Sequence, residues 1–376
     1  MFSNKLKVAF AAGLVGTALT TVALAGGANA ASKTVNWSTV TSAKAGGGMS
    51  ALIKAAKKEG HVNVITIPLS GWANYGAIMK DFTKKYGIKI NDQNPNGSSA
   101  QEITAINTQK GRGDAPDVVD VGTNYSTGNE QLWAKYKVAN WSQIPSSAKD
   151  ASGRWYDDYG GYVAIGCDTT IVKTCPTSFA QLSNPMYKNE VAINNDPTSA
   201  SAAFYAVWAA SIANGGSFSN ITPGINFFAT LNKDGNFVPG GTEATAVAGT
   251  TPILVWWDYL QNGVAASVPG WKSVIPTDGT IAAYYTQAIT KDAPDPAAAR
   301  LWEEFLYSSL GQNLFLQGYA RPIELAGMIA NKTVNQGFLA KLPAAPKGAL
   351  TFPTPAQVTA AGQTVDANWP GAISGS

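Results

Sequence analysis

The 376-residue chain carries 27 basic and 24 acidic side chains, two cysteines and a single histidine. So even a balance leaves no electrostatic footprint for nucleic acid or an anionic membrane, and one histidine excludes an imidazole metal cluster. The length exceeds what one core supports, so two lobes are expected.

In chain order, residues 1–30 read as an export signal. Lys5 and Lys7 open it, residues 8–24 are mostly apolar, and Ala28-Asn29-Ala30 supplies the small-residue cleavage pattern. Losing Lys5 and Lys7 leaves 25 basic residues against 24 acidic ones. The mature chain is expected in the periplasm or outside the cell. Residues 31–48, rich in Gly, Ser, Thr and Ala, read as a flexible leader. Met49, Leu52, Ile53 and Ala56 then fall at helical spacing up to Gly60, "HVNVITI" is a strand, and Tyr75, Ile78, Met79, Phe82 and Tyr86 mark a second helix ending at Gly87. After the strand "IKIND", Ser99 and Glu102 have capping-box spacing for a third helix, and "PDVVDVG" is a buried strand.

Strands alternating with helices predict an α/β fold of doubly wound lobes with parallel sheets, ligands sitting in the loops at the strands' carboxyl ends. Those loops are "LSGWANYG", "NPNGSSAQE" and "VGTNYSTGN", which carry Trp72, Tyr75, Ser98, Ser99 and Thr123. The pattern restarts at "GGYVAIGCD", giving a first lobe over residues 49–163, a second over 164–277, and a return to the first over 278–322. Residues 323–376 are expected to pack on the second lobe. In an oxidising compartment Cys167 and Cys175 suit a local disulfide; two buried thiols are the alternative.

An enzyme needs a titratable constellation, and the sequence offers no phosphate-cradling loop, dinucleotide fingerprint or zinc signature. No cofactor is expected. "GRGD" at 111–114 reads as a turn, and a carboxylate pair for glycoside hydrolysis has no specific signal.

"ALIKAAKKEGHVNVITIP", "APDVVDVG", "GGYVAIGCDTTIVK", "VIPTDGTIAAYYTQAI" and "APDPAAARLWEEFLYSSLGQNLFLQGYARPI", taken in this order, resemble the extracellular solute-binding proteins of bacterial ABC importers. The branch resembled contains binders of ferric ion, polyamines, thiamine and aminoethylphosphonate. The resemblance covers roughly residues 49 to 325 and implies a monomeric, non-catalytic, two-lobed clamp of the type II periplasmic-binding-protein kind. Its crossovers would lie near Ile165 to Asp168 and Pro276 to Thr280. It would capture a small solute by hinge closure and deliver it to a membrane permease with its ATPase. A secreted carbohydrate-active enzyme is the competing class.

In "PILVWWDYL", Asp258 stands where strand gives way to helix. It reads either as a helix N-cap or, with Trp257 or Tyr259, as a wall of the cleft. Trp72 and Tyr75 read as aromatic walls opposite it or as a hydrophobic staple. Two aromatic faces plus Asp258 suit an amine. Ser98 and Ser99 at one helix start, and Thr198, Ser199 and Ala200 at another, suit an anionic group or serve as plain caps, and Asp196 beside the second is also expected to bind the ligand. An aminophosphonate would use both sets, with a polyamine next and ferric ion third. Tyr284 and Tyr285 alternate faces in a strand, so only one of them, Tyr284 in this reading, reaches the cleft.

Overall fold

The computed structural model describes residues 35–69, 72–343, 346 and 352–374. The export-signal reading therefore lies outside the described residues. Helix α1 (Met49–Glu59) stops at Gly60 with φ 83°, and strand β1 (His61–Ile65) follows; helix α2 (Tyr75–Tyr86) stops at Gly87 with φ 71° and leads into β2 (Lys89–Gln93). A left-handed residue closes each helix abruptly, and only glycine takes that backbone without a Cβ penalty. Next come α3 (Ser99–Thr108), β3 (Val118–Gly122), α4 (Thr123–Gly128) and the long strand β4 (Tyr156–Asp168). Then follow β5 (Val191–Ile193), α5 (Ser201–Ala213), α6 (Thr222–Lys233), α7 (Glu243–Val247), β6 (Ile253–Trp257), α8 (Gln261–Ser267), β7 (Trp271–Val274) and β8 (Ala282–Ile289). The chain closes with α9 (Pro296–Leu306), α10 (Ser309–Gln317), β9 (Arg321–Pro322), α11 (Leu325–Ala330), α12 (Gln336–Leu339) and α13 (Pro355–Ser374).

Strand β4 runs through both halves of the molecule. Residues 156–162 pair antiparallel with β8, which also pairs with β3; residues 163–168 pair antiparallel with β6 and β7. The chain thus changes partners between Tyr162 and Val163, a few residues before the expected crossover at Ile165 to Asp168. It returns between Val274 and Ala282. Because outgoing β4 and returning β8 run in opposite directions, the central pairing is antiparallel. Among the strand pairs of the described residues only β1–β2 and β5–β6 are parallel, so the sheets are mixed rather than the all-parallel ones expected.

Helix α5 is buried without a break from Ser201 to Ser211, which explains its lack of a polar face. Cys167 and Cys175 form a disulfide with Cα atoms 5.8 Å apart, and Arg112 and Asp114 pair within the expected GRGD turn.

Two expectations need correction. Residues 36–48 are not a loose leader: Trp37 and Ala43 are buried, and Arg300 on α9 donates to the carbonyls of Ser38 and Val40. Composition suggested mobility, but one tryptophan and a buried guanidinium dock the segment. Nor does the C-terminal segment pack on the second lobe alone. Helix α12 packs on α10, while α13 contacts both α6 and α4 and so spans the two halves.

Candidate functional site

A cavity of about 570 Å³ opens between the two halves. The carboxyl end of β1 contributes Thr66, the turn before α2 contributes Trp72, and the start of α3 contributes residues 96–99. Asp120 comes from β3, Tyr159 from β4 and Tyr285 from β8. The opposite wall is Asn194 and Asn195, the first turn of α5, the first turn of α7, and Trp256, Tyr259 and Leu260 beyond β6. Among the described residues no lysine, arginine or histidine lines it.

The start of α3 is built by reciprocal hydrogen bonds. Ser98 Oγ accepts from the Gln101 N–H, and Gln101 Oε1 accepts from the Ser98 N–H at 2.9 Å. The capping box is therefore Ser98 with Gln101, one residue before the expected Ser99 with Glu102. That shift frees Ser99 to accept the Gly122 N–H and turns Glu102 inward. Glu102 Oε2 accepts the Asp120 N–H at 3.0 Å, and Asp120 Oδ2 accepts the Tyr159 hydroxyl at 2.8 Å. The remaining oxygens, Glu102 Oε1 and Asp120 Oδ1, are buried without a hydrogen-bond partner.

Burial pushes both carboxyls up. Glu102 lies well above the usual carboxylate range, with the neighbouring Asp120 charge adding to the effect. Asp120 is raised to about 7, partly held back by the hydroxyls of Tyr159 and Tyr75. Tyr75 nonetheless donates its proton to Asp158. A buried carboxyl oxygen lacking a partner is costly unless the acid is protonated or a ligand completes it. Across the cavity the first turn of α5 has no side-chain cap, because its N-cap is Ala200. Its free backbone N–H groups form a second, positively polarised patch.

Of the residues singled out in the sequence, Trp72, Ser98, Ser99, Ala200 and Tyr259 line this cavity. The others do not. Asp258 is neither an N-cap nor a free acceptor. The N-cap of α8 is Leu260, and the Asp258 carboxylate takes the Tyr162 and Tyr259 N–H groups and a 2.5 Å ion pair from Arg321. Trp257 is in the core beside Tyr205, and its neighbour Trp256 reaches the cavity instead. Tyr75 is wholly buried between Tyr159 and Phe315. Tyr284 and Thr123 line a different hollow behind the central strands, and Tyr285 takes the cavity position. Asp196 and Thr198 bond to each other in the turn before α5; they and Ser199 stand outside the lining, which uses Asn194, Asn195, Ala200 and Ser201. Sequence reasoning missed Glu102 and Asp120 as site residues. The available signal was the acid inside the apolar run "PDVVDVG".

The two halves also touch directly beside the cavity. The Tyr125 hydroxyl donates to the Thr198 carbonyl at 2.9 Å, and Ser201 Oγ donates to Asn124 Oδ1 at 3.1 Å.

A cavity walled by strand-end loops of two α/β halves suits a carrier of small molecules, and the family model for bacterial extracellular solute-binding proteins matches residues 116–345. The chain belongs to this family. As a solute-binding protein it is a non-catalytic receptor, which removes the enzyme reading, and it serves an ABC importer. Solved structures share the fold at low identity. The periplasmic binding protein AfuA from Actinobacillus pleuropneumoniae, with exogenous fructose-6-phosphate bound, is 17% identical with a TM-score of 0.67, over 84% of this chain and 98% of that one. A periplasmic thiamin binding protein is 19% identical with a TM-score of 0.65, over 83% and 96%. A ferric binding protein from Campylobacter jejuni is 16% identical with a TM-score of 0.62, over 83% and 99%. Among curated protein sequences there is no match. No helix among the described residues is long and apolar enough to cross a membrane.

Proposed function

We propose that this receptor captures a small amine-bearing solute, with Asp120 and Glu102 taking the ammonium group, and delivers it by lobe closure to a membrane permease. The unpartnered buried oxygens of these two acids, in a cavity lined by no basic side chain among the described residues, carry the reading. The division of the lobes at 163/164 and 277/278 belongs to the same proposal. Trp72, Trp256 and Tyr259 supply aromatic faces, each worth on the order of 0.5 to 2 kcal/mol against a cation. The uncapped first turn of α5 with Asn194 and Asn195 suits an anionic far end. An aminophosphonate engages both patches; a polyamine engages the first. Closure is a population shift, since a solute touching α3 and α5 together makes its full contacts only when the lobes meet.

Two outcomes test this. In a thermal-shift panel of aminophosphonates, polyamines, amino acids, phosphate and ferric citrate, an amine should raise the melting temperature. Asp120→Asn should weaken that amine by at least tenfold while the empty protein still unfolds in one cooperative transition. Because Asp120 is protonated below about 7 and must ionise to meet an ammonium, amine affinity should climb between pH 6 and 8. An affinity that is flat with pH, or shared equally with non-amines, defeats the proposal.

Ferric ion is a second reading, favoured by three tyrosines that meet at the cavity. The Tyr159 ring lies 5.8 Å from that of Tyr259 and 5.6 Å from that of Tyr285, with Asp120 alongside. A visible absorption band on adding ferric citrate would favour it over the amine.

A further inference from the structure

The near-neutral total charge conceals a strong local segregation. Lys57 and Lys58 occupy the last turn of α1, Lys84 and Lys85 the last turn of α2, and Lys89 opens β2; all five are exposed. The parallel register brings these segments together. His61 at the start of β1 lies opposite Lys89, and the Lys89 N–H donates to the Gly60 carbonyl at 3.0 Å. Both helix ends and both strand starts therefore meet at one end of the first lobe. That end lies roughly 16 Å along β1 from Thr66 and the cavity.

The acids nearby do not neutralise this end. Glu59 is turned inward to accept the Ala297 and Ala298 N–H groups at the start of α9, and Asp295 pairs with His61 at 3.0 Å. Asp81 stands one turn back on α2. Among the described residues none of the five lysines has a carboxylate within ion-pair distance. A helix end accounts for a positive charge in its last turn. It accounts neither for Lys89 on the strand nor for the lack of interleaved acids.

We propose that this lysine-bearing end of the first lobe is a docking surface for the anionic phospholipid bilayer that houses the partner permease. Its charge matches that surface, and it presents no exposed apolar side chain that would insert, so attachment is electrostatic, weak and reversible. Clustered lysines gain from the negative surface potential only within a Debye length, about 8 Å at physiological salt, so salt releases the protein. The face points away from the cavity and leaves solute capture free. The near-neutral composition argued against a membrane footprint because total charge says nothing about where charges gather.

The test is co-sedimentation of the exported protein with vesicles of phosphatidylcholine alone or mixed with phosphatidylglycerol, at low and at physiological salt. Binding is expected only to the anionic vesicles and should fall with salt. The variant carrying Lys57→Gln, Lys58→Gln, Lys84→Gln and Lys85→Gln should lose at least tenfold, while the matching four Lys→Arg changes retain binding. Equal binding to both vesicle types, binding unaffected by the Gln changes, or retention on a soluble polyanion without vesicle binding would each overturn it. Solute-induced thermal shifts should be the same in all variants, which separates this surface from the cavity.

Discussion

At the scale of single residues, Asp258 shows how far an acid's role depends on what faces it. Burial pushes its carboxyl up, and Arg321 and two backbone N–H groups pull it back. Arg321 is itself nearly buried; it also donates to the Pro343 carbonyl and lies over the Tyr162 ring at 4.6 Å. As a cap, Asp258 would contribute about 1 kcal/mol. As one half of a buried pair its loss leaves an uncompensated guanidinium, so Asp258→Ala should cost about 3–5 kcal/mol in chemical denaturation. A loss of only about 1 kcal/mol would return it to the role of a cap. Asp258 and Asp120 look alike in sequence, each an acid at or within an apolar strand. One is matched by a distant arginine and the other is not.

At the scale of elements, the centre of β4 is built for close approach. Its register with β8 slips between Asp157 and Gly160, and a Cβ on Gly161 would run into Asp258 Oδ1 and the Tyr259 ring. Gly161→Ala should therefore destabilise the protein by about 1–3 kcal/mol, the range for overpacking a filled core, with a lower midpoint in urea. At the far end of the same strand the disulfide closes a loop with a sequence separation of 8. Chain entropy alone predicts that its reduction costs about 2.5 kcal/mol. Unfolding with and without reductant measures this, and an unchanged midpoint would show that the loop holds itself. The helix and strand order was legible, because period-3.6 and period-2 patterns ended at glycines required to be left-handed. The facing of each strand was not. Alternation says that Trp256 and Trp257, or Tyr284 and Tyr285, point opposite ways, but not which side is the cleft.

At the scale of the whole molecule, buried acids set the response to pH. Burial raises Asp117 to about 8, and Asp120, Asp157 and Glu324 to about 7. Each has a folded-state pKa above its unfolded value, so between about pH 4 and 7 the folded protein binds more protons and stability falls as pH rises. The melting temperature should be higher at pH 5 than at pH 8, the reverse of ordinary acid denaturation; a higher value at pH 8 would mean these acids are ionised and solvated. None of this could be read from the residues in order. The sequence by itself determined the local conformations, the size that demands two lobes, the cysteine pair close enough to bridge, and an aromatic and hydroxyl-rich set of strand-end loops. Only the tertiary structure decided which of those side chains face the cavity, which acids keep a buried oxygen without a partner, and that five lysines share one end. Local conformation depends on neighbours along the chain, whereas burial, pairing and field depend on neighbours through space, and the register of β4 and β8 chooses those.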